Sequence, residues 1–186
     1  MTFSSPTEDQ AAPDAAIEVV EYDDSWPLKF EVEKAILEAK LQPWLVGRIE
    51  HIGSTAVPGL AAKPVIDIMA PVTSLASSVG AIEAASGLGY VHYPYKAESM
   101  HWFCKPSPSH RTHHLHLVPI ASSLWNERLV FRNALRQSEA LAAEYRELKL
   151  RLAQTFRADR EAYTEGKASF VHRVLASARS RLANAP

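Results

Sequence analysis

The chain has 186 residues, and 20 Lys and Arg set against 21 Asp and Glu leave a formal net charge of −1. So balanced a charge supplies no global field to draw it onto nucleic acid or an anionic membrane, though it is compatible with a local basic groove. A single cysteine, Cys104, excludes an intrachain disulfide framework and a multi-thiolate zinc site.

The first 16 residues are rich in Ser, Pro, Ala and Asp without periodicity, and predict a disordered tail over 1–16. Ile17 to Tyr22 reads as a short first strand. Asp23, Asp24 and Ser25 offer caps, with Pro27 just inside a helix that carries Phe30, Ile36 and Leu37 and ends near Lys40. Pro43 interrupts it, and Trp44 to Val46 form a connector. Ile49 to Ile52 and Val65 to Val72 are apolar runs that predict the next two strands. Thr73 and Ser74 can cap a helix that runs to Ser86, where Gly87 and Gly89 stop it. Tyr90 to Tyr95 and Met100 to Lys105 read as a hairpin, and Thr112 to Pro119 as a further strand. From Ser122 to Ser180 the pattern is helical, broken near Ser138, Asp159 and Gly166. The expected division is therefore a tail (1–16), an α/β core (17–120) and a helical region (121–180) packed on it as one structural unit. No signal-sequence pattern or long apolar run reads along the chain, so the expected setting is cytoplasmic and the expected partners include no membrane.

Three clusters carry candidate chemistry. Gly53 permits a sharp turn, and with Ser54 and Thr55 it can cradle a phosphate on backbone N–H groups and hydroxyls; the same residues also read as a plain strand-ending turn. Lys63, ten residues on, can add a point charge to a phosphate or sit solvated. Asp67 interrupts an apolar strand, where a carboxylate is costly unless paired, hydrogen-bonded or metal-bound. Period-two alternation places Met69 on the same face as Asp67. Of the eight His, five fall between His101 and His116. On a strand His114 and His116 share a face roughly 7 Å apart, a spacing that suits two ligands of one ion, two donors to one phosphate, or two strand histidines with local hydrogen bonds. His113 faces the other way, and Trp102 and Phe103 are expected in the core. Tyr163 and Lys167, four apart, share a face if helical and can stack on a base and contact a phosphate, or form a solvated helix face. Arg132 and Arg136 admit the same two readings.

The run Glu50-His51-Ile52-Gly53-Ser54-Thr55-Ala56-Val57-Pro58-Gly59-Leu60-Ala61-Ala62-Lys63-Pro64-Val65-Ile66-Asp67-Ile68 resembles the signature of the GrpB family, and Arg111 to Val118 its second block. Phe131 to Arg136 and Tyr163 to Lys167 resemble its helical blocks. The resemblance implies an α+β, nucleotidyltransferase-like fold: a mixed sheet with flanking helices and a helical C-terminal third. In that superfamily a Gly-Ser turn binds phosphate and an Asp/Glu-x-Asp/Glu pair with a third carboxylate holds two Mg²⁺. Gly53, Ser54 and Asp67 match; Met69 stands at the second carboxylate position, and His114 and His116 stand where the third is expected. One Asp with two imidazoles suits Mn²⁺ or Zn²⁺ better than Mg²⁺. The resemblance thus implies a nucleotidyltransferase-like enzyme that binds a nucleotide or phosphorylated small molecule with a divalent metal. Asp67, His114 and His116 would be catalytic and metal-binding, and Gly53, Ser54, Thr55, Lys63, Arg111, Tyr163 and Lys167 would bind phosphate or substrate. The alternatives are a non-catalytic ligand- or protein-binding module on the same fold and a single-metal hydrolase built on the same three residues. Broad nucleic-acid binding is not expected at this net charge.

Overall fold

The helix expected after Asp23 forms as α1, Trp26–Leu41. Its start is fixed by Asp23 rather than Ser25: the Asp23 carboxylate accepts from the Ser25 N–H at 2.8 Å, and its carbonyl accepts from the Trp26 N–H at 3.0 Å. Trp26, Phe30, Glu33, Leu37 and Leu41 recur every three or four residues and form the buried stripe. Ile36, expected on that stripe, is 41% exposed, because Leu37 takes the buried position and Ile36, one residue earlier, is rotated about 100° from it. These coordinates come from a computed structural model that describes residues 16–183. The tail expected over 1–16 falls, but for an exposed Ala16, outside the described residues.

Five strands follow: β1 (Glu50–Ile52), β2 (Ile66–Val72), β3 (Val91–Tyr93), β4 (His101–Pro106) and β5 (Arg111–Pro119). They build one sheet in the order β1-β2-β5-β4-β3. β2 and β5 are parallel and every other pair is antiparallel, so the sheet is mixed as expected. The stretch Ile17 to Tyr22 does not join it as a strand. Val20 makes a single bridge to Ala62, and the Ile17 N–H donates to the Arg157 carbonyl. With no continuous neighbour, this segment has nothing against which to extend a ladder. Ser74 caps a short turn instead of one long helix: its hydroxyl accepts from the Ser77 N–H at 3.1 Å, and α2 spans only Gly80–Ser86.

The C-terminal third comprises α3 (Ser123–Gln137), α4 (Glu139–Thr155), α5 (Arg160–Glu165) and α6 (Ala168–Ala183). Ser122, Ser138 and Asp159 each accept a hydrogen bond from an N–H of the first turn that follows, a cap that contributes about 1 kcal/mol.

Alternation along the strands produces two different faces. Ile66, Ile68, Ala70 and Val72 of β2 and Leu115 and Leu117 of β5 pack with Phe103 against α1 and α2. Met69, Trp102, Cys104 and Val118 turn the other way and pack with Met100 and Trp125, flanked by Leu124 and Leu129 of α3. A third cluster joins Val57 and Leu60, from the loop before β2, to Leu135, Tyr145, Phe170 and Val174 of the helices. The helices therefore roof one end of the second face, above the loop between β1 and β2.

Candidate functional site

The parallel register of β2 and β5 sets Asp67 directly opposite His114 and Met69 opposite His116. All four side chains thus emerge on the second face, beside one another. The Asp67 carboxylate accepts from His114 Nδ1 at 2.9 Å and lies 3.7 Å from His116 Nε2. One ligand atom from each of Asp67, His114 and His116 can be chosen so that all lie within 4.8 Å of one another. Side-chain exposure falls from 27% at Asp67 to 15% at His114 and 5% at His116. The carboxylate is thus the part of the cluster most open to solvent, and His116 the most enclosed.

Hydrogen bonding assigns the His114 proton. An ionised carboxylate only accepts, so His114 Nδ1 donates to Asp67 and leaves its lone pair on Nε2. His116 Nδ1 lies 3.3 Å from the Met100 sulfur. His116 Nε2 lies 3.7 Å from the Asp67 carboxylate, and with Nδ1 against the thioether the ring proton can be held on either nitrogen. Both Nε2 atoms are buried without a hydrogen-bond partner. Burial alone would raise the Asp67 pKa, but the hydrogen bonds and charge of His114 and His116 outweigh it and hold the carboxyl well below its usual value. Burial, then the nearby Arg128, holds His116 down to about 4 against the pull of Asp67. Imidazole nitrogens without hydrogen-bond partners beside a carboxylate are a donor set that a divalent ion can use. Two nitrogens and one oxygen fit Mn²⁺ or Zn²⁺ more readily than Mg²⁺. Met69 is fully buried in the second core cluster, so a second ion has no ligand at that position.

The Gly-Ser turn presses on this group. Gly53 has φ +72°, and a Cβ built there would lie 2.3 Å from Asp67 Oδ2. Only glycine permits both the left-handed backbone and this approach. Ser54 is half-buried and lies beside Tyr145. Thr55 turns inward: its hydroxyl donates to the Val65 carbonyl at 3.3 Å and pairs with His51 Nε2 at 3.0 Å, which holds the turn rather than facing the cleft. Lys63 and Lys167 place their ammonium groups 5.0 Å and 4.1 Å from the Tyr163 ring. Tyr163 lies in α5, whereas Lys167 falls in the link to α6 after Gly166, so they meet across a break rather than along one helix. Tyr163 is 1% exposed; it is a floor for the two lysines and offers no face to a base. Burial, followed by the charge of Lys63, lowers Lys167 to about 7, with Asp67 pulling the other way. Lys167, held down in this way beside Lys63, would regain its proton and charge on meeting an anionic ligand.

Arg111 lies on the far side of the histidines, its guanidinium 5.4 Å from the Trp102 ring and its Nε donating to the Pro108 carbonyl at 2.7 Å. Trp102 is core, as expected, but it also walls the site, 5.0 Å from the His114 ring. Arg132 and Arg136 serve the scaffold. Arg132 donates to Glu50 at 2.7 Å and to the His51 carbonyl at 2.9 Å, and Arg136 donates to the Ala56 carbonyl at 2.8 Å. Arg128, one helical turn before Arg132 on α3, is not singled out by the sequence reading. Its Nε is buried without a partner, and it is close enough to Asp67, His116 and Tyr95 for their charges to act on one another. The four-residue spacing of Arg128, Arg132 and Arg136 was the available signal. A separate recess of about 230 Å³ lies between α1 and the back of the Gly53 turn, lined by Phe30, Lys34, Arg48 and His51. It does not include the Asp67 cluster, whose buried unpartnered nitrogens are the stronger mark of a reactive site.

A mixed five-stranded sheet with helices, a glycine turn seated on a strand aspartate, and two histidines on the adjacent parallel strand define an α+β protein with a candidate one-ion centre. The chain belongs to the GrpB family, whose profile, described as GrpB protein, matches residues 16–177. It is 40% identical over 172 residues to a UPF0157 protein of Pseudomonas aeruginosa, covering 90% of this chain and 69% of that one. It is 33% identical over 163 residues to the glutamate-rich protein GrpB of Alkalihalophilus pseudofirmus, covering 84% of this chain and 92% of that one. The crystal structure of the conserved protein GrpB from Enterococcus faecalis superposes with a TM-score of 0.79 at 31% identity, covering 89% of this chain and 99% of that chain. Among the described residues no helix is long and apolar enough to cross a membrane.

Proposed function

We propose that this GrpB protein is a metal-dependent enzyme of nucleotidyltransferase type, acting on a nucleotide or another phosphorylated small molecule in the cytoplasm. The observation that carries the reading is the pair of buried, unpartnered Nε2 atoms of His114 and His116 beside the Asp67 carboxylate. Asp67, His114 and His116 would hold one divalent ion, Mn²⁺ or Zn²⁺ before Mg²⁺, which when bound would neutralise phosphate charge and activate an oxygen nucleophile. The Gly53–Ser54 backbone would orient the phosphate, and Lys63 and Lys167 would add positive charge on its outer side. His114, tied to Asp67 through Nδ1, would keep its orientation as ligand exchange proceeds. In this division of labour the sheet (17–120) supplies the ion and the turn, and the helices (121–180) supply Lys167 and the Tyr163 floor.

Buried Met69 favours a second reading, a site that binds its ligand without turnover, since the usual carboxylate pair is absent. Calorimetric titration with Mn²⁺ or Zn²⁺, followed by ATP, CTP, GTP and UTP, tests the proposal. Ion-dependent heat with at least one nucleotide is expected, weakened more than tenfold in Asp67→Asn. No heat with any ion or nucleotide refutes it, and affinity without nucleotidyl transfer selects the second reading.

A further inference from the structure

The sheet order places the two sides of the ion cluster far apart. On the β1–β2 side stand Ser54, Lys63 and, from the helices, Lys167. On the β4–β3 side, one to two strand spacings of about 4.8 Å beyond His114, lie Trp102, Tyr93 and Tyr95. Tyr93 and Tyr95 approach Trp102 edge-on, with ring centroids at 6.3 Å and 5.9 Å. Trp102 is itself 7% exposed, whereas Tyr93 and Tyr95 are 52% and 42% exposed, an unusual amount of open aromatic surface on a short edge strand and the turn after it. Arg111 covers part of the Trp102 ring. Arg128 stands between this wall and the cluster, near Tyr95 at one end and Asp67 and His116 at the other, with its buried Nε unpartnered. An aromatic surface that is dry underneath and open on top suits a flat ring. A buried guanidinium with an unused donor suits an oxyanion.

We propose that the β3–β4 side of the cleft is a subsite for a ligand consisting of a planar aromatic ring and a phosphate, the ring lying on Tyr95 and Tyr93 and the phosphate reached by Arg128. The proposal rests on the metal cleft described above as the place where the phosphate sits, and it assigns the ring to the side opposite Tyr163. The distance fits: from His114 on β5 to Tyr93 on β3 is two strand spacings, about 10 Å, the scale of a nucleotide from phosphate to base. It also gives Arg128 a role that packing alone does not, since a buried Nε without a partner costs free energy that an incoming oxyanion bound by the guanidinium repays.

The test compares adenosine monophosphate, ribose phosphate and inorganic phosphate by calorimetry with the full-length chain in Mn²⁺, after Mn²⁺ uptake has been measured by itself. Adenosine monophosphate is expected to bind about five- to a hundredfold more tightly than ribose phosphate. That preference should vanish in Tyr95→Ala, an exposed position whose replacement leaves the core intact. Arg128→Lys and Arg128→Met should weaken both phosphates together, more so in Met, when each is measured with the variant's own Mn²⁺ site saturated. Equal affinity of the two phosphates, a preference that survives Tyr95→Ala, or no binding of adenosine monophosphate at millimolar concentration overturns the subsite. Mn²⁺ uptake without ring preference leaves the ion centre standing while this proposal falls. A Tyr95-dependent preference without Mn²⁺ uptake does the reverse.

Discussion

Gly53→Ala perturbs the turn and the ion cluster in one step. At φ +72° the new Cβ adopts a left-handed backbone, which costs an L residue roughly 1–2 kcal/mol. It would also arrive 2.3 Å from Asp67 Oδ2 and 3.0 Å from its Cβ and Cγ. The carboxylate must withdraw by most of an ångström, and overpacking of this kind costs about 1–3 kcal/mol. Loss of glycine freedom in the unfolded chain returns about 0.4–1 kcal/mol, so the expected net destabilisation is about 2–4 kcal/mol. Urea unfolding should show a lower midpoint with an unchanged slope. Ligand atoms tolerate only ~0.2 Å of displacement at a metal centre, so ion affinity should fall roughly tenfold or more. In an Asp67→Ala background the closest contact is gone, and the same substitution should cost at least about 1 kcal/mol less. A Gly53→Ala protein with unchanged midpoint and undiminished ion uptake would refute the reasoning.

Two further expectations concern buried bases. His51, stacked on Phe30 at 4.6 Å and buried, is held down to about 4, chiefly by burial. Between pH 6.5 and 4 the unfolded chain takes up a proton that the folded one refuses. Stability should therefore fall through that window as pH drops, by on the order of 3 kcal/mol, and His51→Gln should show a shallower slope in urea midpoints measured from pH 7 to 4. Lys149, 2% exposed and donating to the Ala61 carbonyl, is lowered to about 7 by burial first and then by Lys167 and Arg146. Below that value both states are protonated. Above it only the unfolded chain holds the extra proton, so stability should rise from pH 7 by several kcal/mol, on the order of 3. The rise should continue until tyrosines such as Tyr163, pushed up to about 12 by burial, reverse the trend above about pH 10. Thermal denaturation of Lys149→Met between pH 7 and 9.5 should show a smaller rise, the remainder coming from Lys167, which is also lowered to about 7.

Much of the scaffold was legible because strands and helices write short periods into sequence. Alternation in Ile66 to Met69 and in His114 to Leu117 correctly set Asp67, Met69, His114 and His116 on common faces, and Ser138 and Asp159 marked helix starts through their caps. The meeting of Asp67 with His114 and His116 was expected as one metal set, but the contact that makes it, the parallel register of strands that are not neighbours in the chain, is not written in any local period. Thr55 was open to a ligand role on residue type, but its inward hydrogen bonds depend on His51 and on the Val65 carbonyl, ten residues away. Arg128 was marked only by its four-residue spacing from Arg132, which does not tell a solvated arginine from an enclosed one; the packing of α3 over the second face encloses its Nε. The stretch Ile17 to Tyr22 has strand composition, yet composition cannot supply a neighbouring strand.

The hydrogen bond between His114 and Asp67 closes a loop of 47 residues. A contact of that sequence separation carries a loop-closure cost that its partners must offset. A molecule that bridges Asp67 to His114 would act as a reversible staple across the parallel pair. It raises stability by mass action, and because the staple must open before the two strands separate, it should also prolong the life of the folded state. Occupancy of the cleft is thereby tied to persistence of the fold, so resistance to unfolding itself reports whether a candidate compound belongs there.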